Sequence, residues 1–542
     1  MDSTNSNEDA GFANGDDHAE KSITLIVSAS TARSLYVRGS IRIVPRGGVK
    51  HKQGQGLIDP RIETYFEDVH ACFPIIHQPT FRASLPDLLG TGQQQPRLPL
   101  DQGLLIYSMM ALSSRFSRLP EFRDVPLTQR GRGFAHQSGK IISQLLMESE
   151  LDKASLTFLH GCSLAAAYWL ACAPNGKSWF LVGICVRMAY GLSLHTTDVD
   201  LRDSEAQSLT STEWARRESL RRAWWMVVEC DNFASVLRCR PLSIDRSRMH
   251  VLLPCNDEFW FSETPCTSAF LDNDAQRSWK DLKCSSNKNP HAWYLLVNQL
   301  MIRGHEMSLN SRRSITDQKN LRNLIQAVDM GLPEEFSRTR HSAATFEEGS
   351  IDHDNWVVAL HLMLQVAHAY IFESEEQEED EDATLEGEDK SPVSSESGRG
   401  NPPHHPFFEG GKRPPLQVAP QKFRPTLNAM LRVIRTWPPD YCINCQPWIV
   451  CALIGPQASH LQATFFAPTP SRGALERDLI RETIGRMAKY WDVASVTLEL
   501  MDTLTSWLSS RLQSDDTTTT ATTRSPITDL EPDHKLRCLL PV

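Results

Sequence analysis

Apolar residues recur at helical spacing over most of the chain. Pro60 opens a stretch in which Ile62, Tyr65, Phe66 and Val69 fall on one face, and Pro74 closes it. Residues 103–114 and 133–147 predict further helices. Residues 155–173 are apolar nearly all round, as a central buried helix must be. The turn signal Pro174-Asn175-Gly176 separates that helix from one over 179–192. Thr210 and Glu213 form a capping box ahead of a helix that runs to about residue 239 and stops before Pro241. Leu220, Trp224, Val227 and Asp231 share one of its faces, joined by Ala234. Apolar helical stretches return at 292–307, 321–330 and 356–372. A second helical block over 426–512 includes 448–466 and 474–508. No stretch alternates strands and helices as a parallel-sheet enzyme would, and no short repeat occurs. The expected fold is all-α, with a large multi-helix domain and a helical C-terminal extension.

Charge divides this pattern further. The 542 residues carry a net charge of -10, but 11 acidic residues and no basic ones fall within 373–389. The remaining chain holds 55 acids against 56 bases, so overall charge says little about partners. The acidic run continues as a Ser- and Pro-rich stretch that cannot bury enough surface to offset the entropy of ordering. It predicts a disordered linker over 373–425, either a solubilising spacer or, with Tyr370, Phe372, Phe407 and Phe408 beside it, an activation segment for a coactivator groove. The spacer is the expected role. Residues 1–56 form an arm, acidic at first and then basic, with weak alternation at Leu35, Val37, Ile41 and Ile43. It reads as flexible, with nuclear import or phosphate contact as the functional alternative. The domain bounds are therefore 1–56, 57–372, 373–425, 426–512 and a disordered tail over 513–542. The 13 cysteines are odd in number and irregularly spaced, which suits reduced thiols better than a disulfide framework. The longest clean apolar run, 164–173, is too short for a bilayer.

From residue 178 the sequence reads SWFLVGICVRMAYGLSLH, then, after a polar stretch, RRESLRRAWWMVVECDNFASVLRCRPLSID and HVLLP. Its marks are an Arg-Met pair at Arg187 and a Gly-Leu-x-Leu-His ending at His195. An Arg-Arg-x-Trp-Trp core follows at Arg221, Arg222, Trp224 and Trp225, and then an Arg-Pro-Leu-x-Ile-Asp exit at Arg240 and Pro241. Upstream, IDPRIETYFEDVHACFPIIHQPTF carries Phe73, Pro74 and His77. In order and in composition these parts resemble the regulatory, or middle homology, domain of fungal zinc-cluster transcription factors. The resemblance implies an all-α control domain, action in the nucleus on RNA polymerase II transcription, and no catalysis. It also marks Phe73, Pro74, His77, Arg187, His195, Arg222, Trp224, Trp225, Arg240 and Pro241 as structural positions.

In that family a six-cysteine zinc cluster and a coiled coil deliver DNA binding and dimerisation, and the regulatory domain governs activity, sometimes in response to small molecules. The first cysteine here is Cys72, already inside the resemblance. Zinc is therefore expected as a cofactor only with a cluster that this sequence does not show. Three explanations follow: first exons lost from the gene model, a truncated paralogue, or action through a partner. The irregular basic stretch before residue 57 favours the first. DNA would be reached through the missing cluster or a partner protein. A coactivator, a small-molecule effector and a second subunit of a homo- or heterodimer are the other implied partners, and no membrane is involved. The competing class is a partner-dependent helical effector-binding or scaffold protein without its own DNA binding.

The residues themselves offer few chemical sites. Cys442 and Cys445 form the one C-x2-C pair, with Cys451 and His460 beyond; four zinc ligands can be assembled on paper, but core or loop thiols are the expected reading. The Arg/Trp helix reads either as an aromatic-interleaved basic surface for nucleic acid or as a helix anchored by Trp224 and Trp225, its arginines stacked on indoles or paired with Glu213, Glu218, Glu229 and Asp231. The second is expected. His195 is expected to meet the last carbonyls of its helix. Arg187 is expected to be buried or half-buried in an ion pair, with Asp231 and Asp245 as partners. No nucleophile elbow, P-loop, dinucleotide turn or H-E-x-x-H motif occurs.

Overall fold

Helix starts sit where the sequence places capping groups. The computed structural model describes residues 59–89, 98–148, 155–202, 209–238, 240–271, 275–309, 314–337, 346–347, 349–385, 422–454 and 459–515. The arm expected over 1–56, the linker from 386 to 421 and the tail beyond 515 lie outside them. In chain order the first helices are α1 (Pro60–Asp68), α2 (Gln78–Leu89), α3 (Leu100–Ser113), α4 (Arg132–Glu148), α5 (Leu156–Cys172), α6 (Gly176–Gly191) and α7 (Ser211–Leu237). Then come α8 (Asp257–Phe261), α9 (Ala275–Cys284), α10 (Pro290–Leu309), α11 (Ile315–Gly331) and α12 (Ile351–Leu385). The last are α13 (Arg424–Thr436), α14 (Ser459–Phe465), α15 (Pro470–Ala488) and α16 (Asp492–Asp515). Asp59 caps α1 and Pro60 occupies its first turn. Asn175 and Ser178 close a reciprocal capping box on α6. Thr210 Oγ1 accepts the Glu213 amide at the start of α7, which is one half of the expected capping box; the Glu213 carboxylate goes instead to Arg216 and Arg217.

The fold is all-α; the described residues form no strand, and an isolated antiparallel bridge joins Leu252 and Phe270. Helices α3 and α5 pack side by side and are buried on almost every face. A Cβ on Gly161 would stand 2.6 Å from Leu104 Cγ, so the close approach of these two helices needs glycine there. Helix α7 lies on α5 and α6, and α10 pairs with α12 along its length.

The C-terminal block is part of this core rather than an appendage to it. One apolar cluster runs from Ile62 to Met501. Cys72 Sγ donates to Asn444 O at 2.9 Å, Trp437 Nε1 to Asn355 Oδ1 at 2.9 Å, and Arg115 Nη1 to Tyr490 O at 3.0 Å. The segment over 373–425 therefore interrupts a packed body. Helix α12 also runs on to Leu385, into the acidic run that composition assigns to linker; glutamate and alanine are good helix formers and let the buried helix continue. The apolar stretch over 448–466 is not one helix. It forms a 3-10 segment, Pro447–Leu453, and then α14.

The core also stores a pH dependence. His160 lies on α5 with Nε2 buried and unpartnered among the described residues, and burial holds its imidazole down to about 4. The unfolded chain takes that proton near pH 6.5, so between about pH 6.5 and 4 the unfolded state binds more protons and stability falls as pH falls. In a His160→Leu chain the urea midpoint is expected to depend less steeply on pH between 5 and 6.5, by one proton or about 1.4 kcal/mol per pH unit. Superimposable pH profiles for the two chains would refute this.

Candidate functional site: the buried arginine cluster

The capped start of α7 sets the phase of the helix. Glu218, Arg221 and Arg222 then turn inward one helical turn apart, where i,i+3 and i,i+4 side chains meet. Glu218 is fully buried. Its carboxylate accepts from Arg222 Nε at 3.0 Å, Arg221 Nη1 at 3.3 Å and the Cys255 amide at 2.9 Å. Arg221 forms a two-pronged pair with buried Asp198, at 2.8 and 2.7 Å, and Asp198 also accepts the Leu252 amide at 2.9 Å. Burial pulls the Arg221 guanidinium down, but the hydrogen bonds to Asp198 and the charges of Asp198 and Glu218 outweigh it and hold it above its ordinary value. Toward solvent, Arg217 continues the chain of pairs to Asp200 at 2.7 Å and Glu213 at 3.0 Å. The Glu213 carboxyl is held down at about 2 by its hydrogen bonds to Arg216 and Arg217.

Arg222 ties three distant segments together. It pairs with Asp257 and donates to Pro74 O at 3.1 Å and to Cys255 O. Its guanidinium lies 4.1 Å from the centre of the Trp260 ring. His77 reaches the same place, with Nε2 3.1 Å from Trp260 O and its ring 5.0 Å from the indole. Phe73 packs on Trp448 at 5.4 Å. Thus Phe73, Pro74 and His77 from the first segment converge on the region that Arg222 anchors. Trp224 and Trp225 are buried, Trp225 Nε1 donating to Leu252 O at 2.8 Å and Trp224 meeting Tyr190 edge-on at 5.6 Å. Arg240 and Pro241 are exposed and shape the exit of α7. The Arg240 amide donates to Ser235 O at 2.9 Å, and Asp231 receives the Ser243 and Ile244 amides behind it.

Two expectations fail. Arg187 is exposed on α6, and its Nη1 donates back to Gly183 O at 3.1 Å. Asp231 and Asp245 are occupied by the loop after α7, and Asp245 caps Ser247. The sequence shows only an arginine in an apolar helix; the rotation of α6 puts it on the water side. His195 does not meet the last carbonyls of α6. It sits one short turn further on, with its ring 4.9 Å from Tyr190, and burial, then Arg248 and His250, lower its basicity. Ser193 in a left-handed conformation turns the chain away before His195 can cap it.

A second buried network has no counterpart among the sequence-level candidates. Glu229 Oε2 lies 3.0 Å from His291 Nε2, Gln446 Nε2 donates to Glu229 Oε1 at 2.7 Å, and Tyr294 OH donates to Gln446 Oε1 at 2.8 Å. Glu229 is expected as an arginine partner and is not one among the described residues; its partners His291 and Gln446 lie 62 and 217 residues away, beyond any local pattern. Asp198, in a loop, and Asp257, at the first position of the short α8, were equally silent. The C-x2-C thiols point to main-chain carbonyls: Cys442 to Pro439 at 3.1 Å, Cys445 to Asn355 at 3.9 Å. His460 Nε2 meets Thr426 Oγ1 at 3.0 Å. No group of three or more His, Cys, Asp or Glu side chains that could hold a metal occurs among the described residues. No described helix is long and apolar enough to cross a membrane. The arginine cluster is thus an internal clamp whose charges are spent on one another.

The Fungal specific transcription factor domain matches residues 62–369, which include both arms of the clamp and every marked position. The chain belongs to this family. Among its relatives is the Zn(2)-C6 fungal-type transcription factor FTF1c of Fusarium oxysporum f. sp. lycopersici, 23% identical over 42% of this chain and 23% of that protein. The pigment biosynthesis transcriptional activator pigB of Monascus ruber is 26% identical over 41% of this chain and 37% of its own length. The ascochitine biosynthesis cluster transcriptional regulator of Didymella fabae is 25% identical over 39% and 33%. The matched part of this chain therefore spans well under half of each of these relatives. No solved structure matches. The matched domain is thus of the fungal transcription factor kind.

Proposed function

We propose that this chain acts in the nucleus as the control part of a zinc-cluster regulator of RNA polymerase II transcription. Contact with DNA is delivered by a six-cysteine zinc cluster or by a partner protein, and not by the described helices. A coactivator or a small molecule sets the output, and the DNA-bound form is a homo- or heterodimer. One observation carries the division of labour. Arg221 and Arg222, the residues that would make a nucleic-acid face, spend their donors on Glu218, Asp198, Asp257 and main-chain carbonyls inside the protein. DNA affinity comes from cations that neutralise phosphates and release counterions; a buried, paired guanidinium does neither.

The test joins the chain to an unrelated DNA-binding domain and reads a reporter gene carrying that domain's site, beside gel shifts of the purified chain alone. The expected result is a changed reporter output from the fusion and no retardation of duplex DNA by the chain at low salt. Salt-sensitive, sequence-preferring binding by the chain alone would overturn the division of labour. An unchanged reporter, neither raised nor lowered, would overturn the control role.

A further inference from the structure

We propose that Cys266 and Cys255 form a peroxide-reactive thiol pair that closes to a disulfide beside the arginine cluster. The segments carrying them run antiparallel next to the Leu252–Phe270 bridge, with the Leu253 amide donating to Ala269 O at 2.9 Å. Cys255 Sγ lies 4.0 Å from Cys266 O, so the two side chains adjoin within one cluster. Cys266 Sγ also lies 3.5 Å from Ser286 Oγ. Both side chains belong to a small apolar cluster with Trp214, Ala215 and Trp260, apart from the main core.

The pair is asymmetric in the way such chemistry needs. Cys255 is fully buried; Cys266 is buried as well, but it stands in a loop between exposed Pro265 and exposed Thr267. The adjoining Cys255, and then Ser286, lower the Cys266 thiol, while Cys255 is raised. Glu218 and Arg221 face both sulfurs with opposite effects. Other thiols lack this setting: burial pushes Cys185 up to about 12 and Cys442 to about 11. The thiolate is the attacking species.

The oxidant is a hydroperoxide. The Cys266 thiolate attacks one peroxide oxygen, the O–O bond breaks, and the departing hydroxide takes a proton to become water. This two-electron oxidation leaves a sulfenic acid on Cys266. The Cys255 sulfur then attacks the Cys266 sulfur, the S–O bond breaks, and the second hydroxide leaves as water with the Cys255 proton. Two thiols and one hydrogen peroxide give one disulfide and two waters. The Cys255 amide donates to Glu218 and its carbonyl accepts from Arg222, so the new bond forms on a residue that the clamp already holds.

The experiment treats the full chain with hydrogen peroxide, alkylates the remaining thiols and reads the cysteine peptides by mass spectrometry. Exposed Cys284 serves as the internal comparison. A Cys255–Cys266 linked peptide is expected, reversed by dithiothreitol, with Cys266 oxidised about tenfold faster than Cys284 as thiolate character dictates. In Cys255→Ser the reaction is expected to stop at a sulfenic acid on Cys266, trapped by dimedone; in Cys266→Ser the linked peptide disappears. Oxidation of Cys284 ahead of Cys266 in the unaltered chain would overturn the proposal. So would a linked peptide joining either residue to another cysteine. Both readouts stand on the unaltered chain even where a variant misfolds.

Discussion

An Arg222→Met chain is expected to lose about 3–5 kcal/mol of stability, the usual cost of removing one partner from a buried ion pair. Methionine fills the volume but leaves Glu218 with the weaker contact from Arg221 at 3.3 Å and one amide. It also frees the carbonyls of Pro74 and Cys255 and strips the cation from the Trp260 face. Lysine is expected to restore little, because a point charge cannot serve four acceptors in different directions. A Glu218→Leu/Arg222→Met double variant is expected to be more stable than Arg222→Met alone, since no buried charge is then left uncompensated. Urea midpoints by circular dichroism decide it. If Arg222→Met keeps the midpoint of the unaltered chain but weakens DNA binding, the clamp is in truth a nucleic-acid face.

Trp448→Ala is expected to cost about 3–5 kcal/mol, as for a large side chain removed from a closed core. Trp448 is fully buried, 5.4 Å from Phe73 on the first segment and 5.4 Å from Phe233 on α7. Its Nε1 has no partner among the described residues, so the loss is one of packing. Because the apolar cluster is continuous from Ile62 to Met501, helix content and tryptophan fluorescence are expected to disappear in one transition at the lower midpoint. A variant whose fluorescence melts early while most helix survives would show instead that the C-terminal block unfolds by itself.

Periodicity alone made the all-α fold legible. The all-round apolar stretch became α5, and the Thr210 cap fixed the start of α7 and hence the inward phase of Glu218, Arg221 and Arg222. The anchoring of Trp224 and Trp225 and the pairing of the arginines followed from residue type and i,i+4 spacing. What the sequence could not carry was rotation and long-range partnership. Arg187 and Arg221 both sit in apolar helices, yet one faces water and the other Asp198. Asp198, Asp257 and Gln446 lie in segments with no period to read, and each gains its role from a chain segment brought to it by packing. His195 depended on the single left-handed residue Ser193, which nothing in the local pattern announces.

The hydrogen bond from Arg115 to Tyr490 joins residues 375 positions apart, and that from Cys72 to Asn444 joins residues 372 apart. At about 5–20 residues per second of synthesis, roughly 20–75 s pass between the emergence of Arg115 and that of Tyr490. For most of that interval α1, α3 and α5 have emerged without the C-terminal residues that complete their packing. A nascent chain with this contact order is slow to close and prone to association. Its yield in the cell should therefore depend on chaperone capacity during translation more than on the stability of the finished protein.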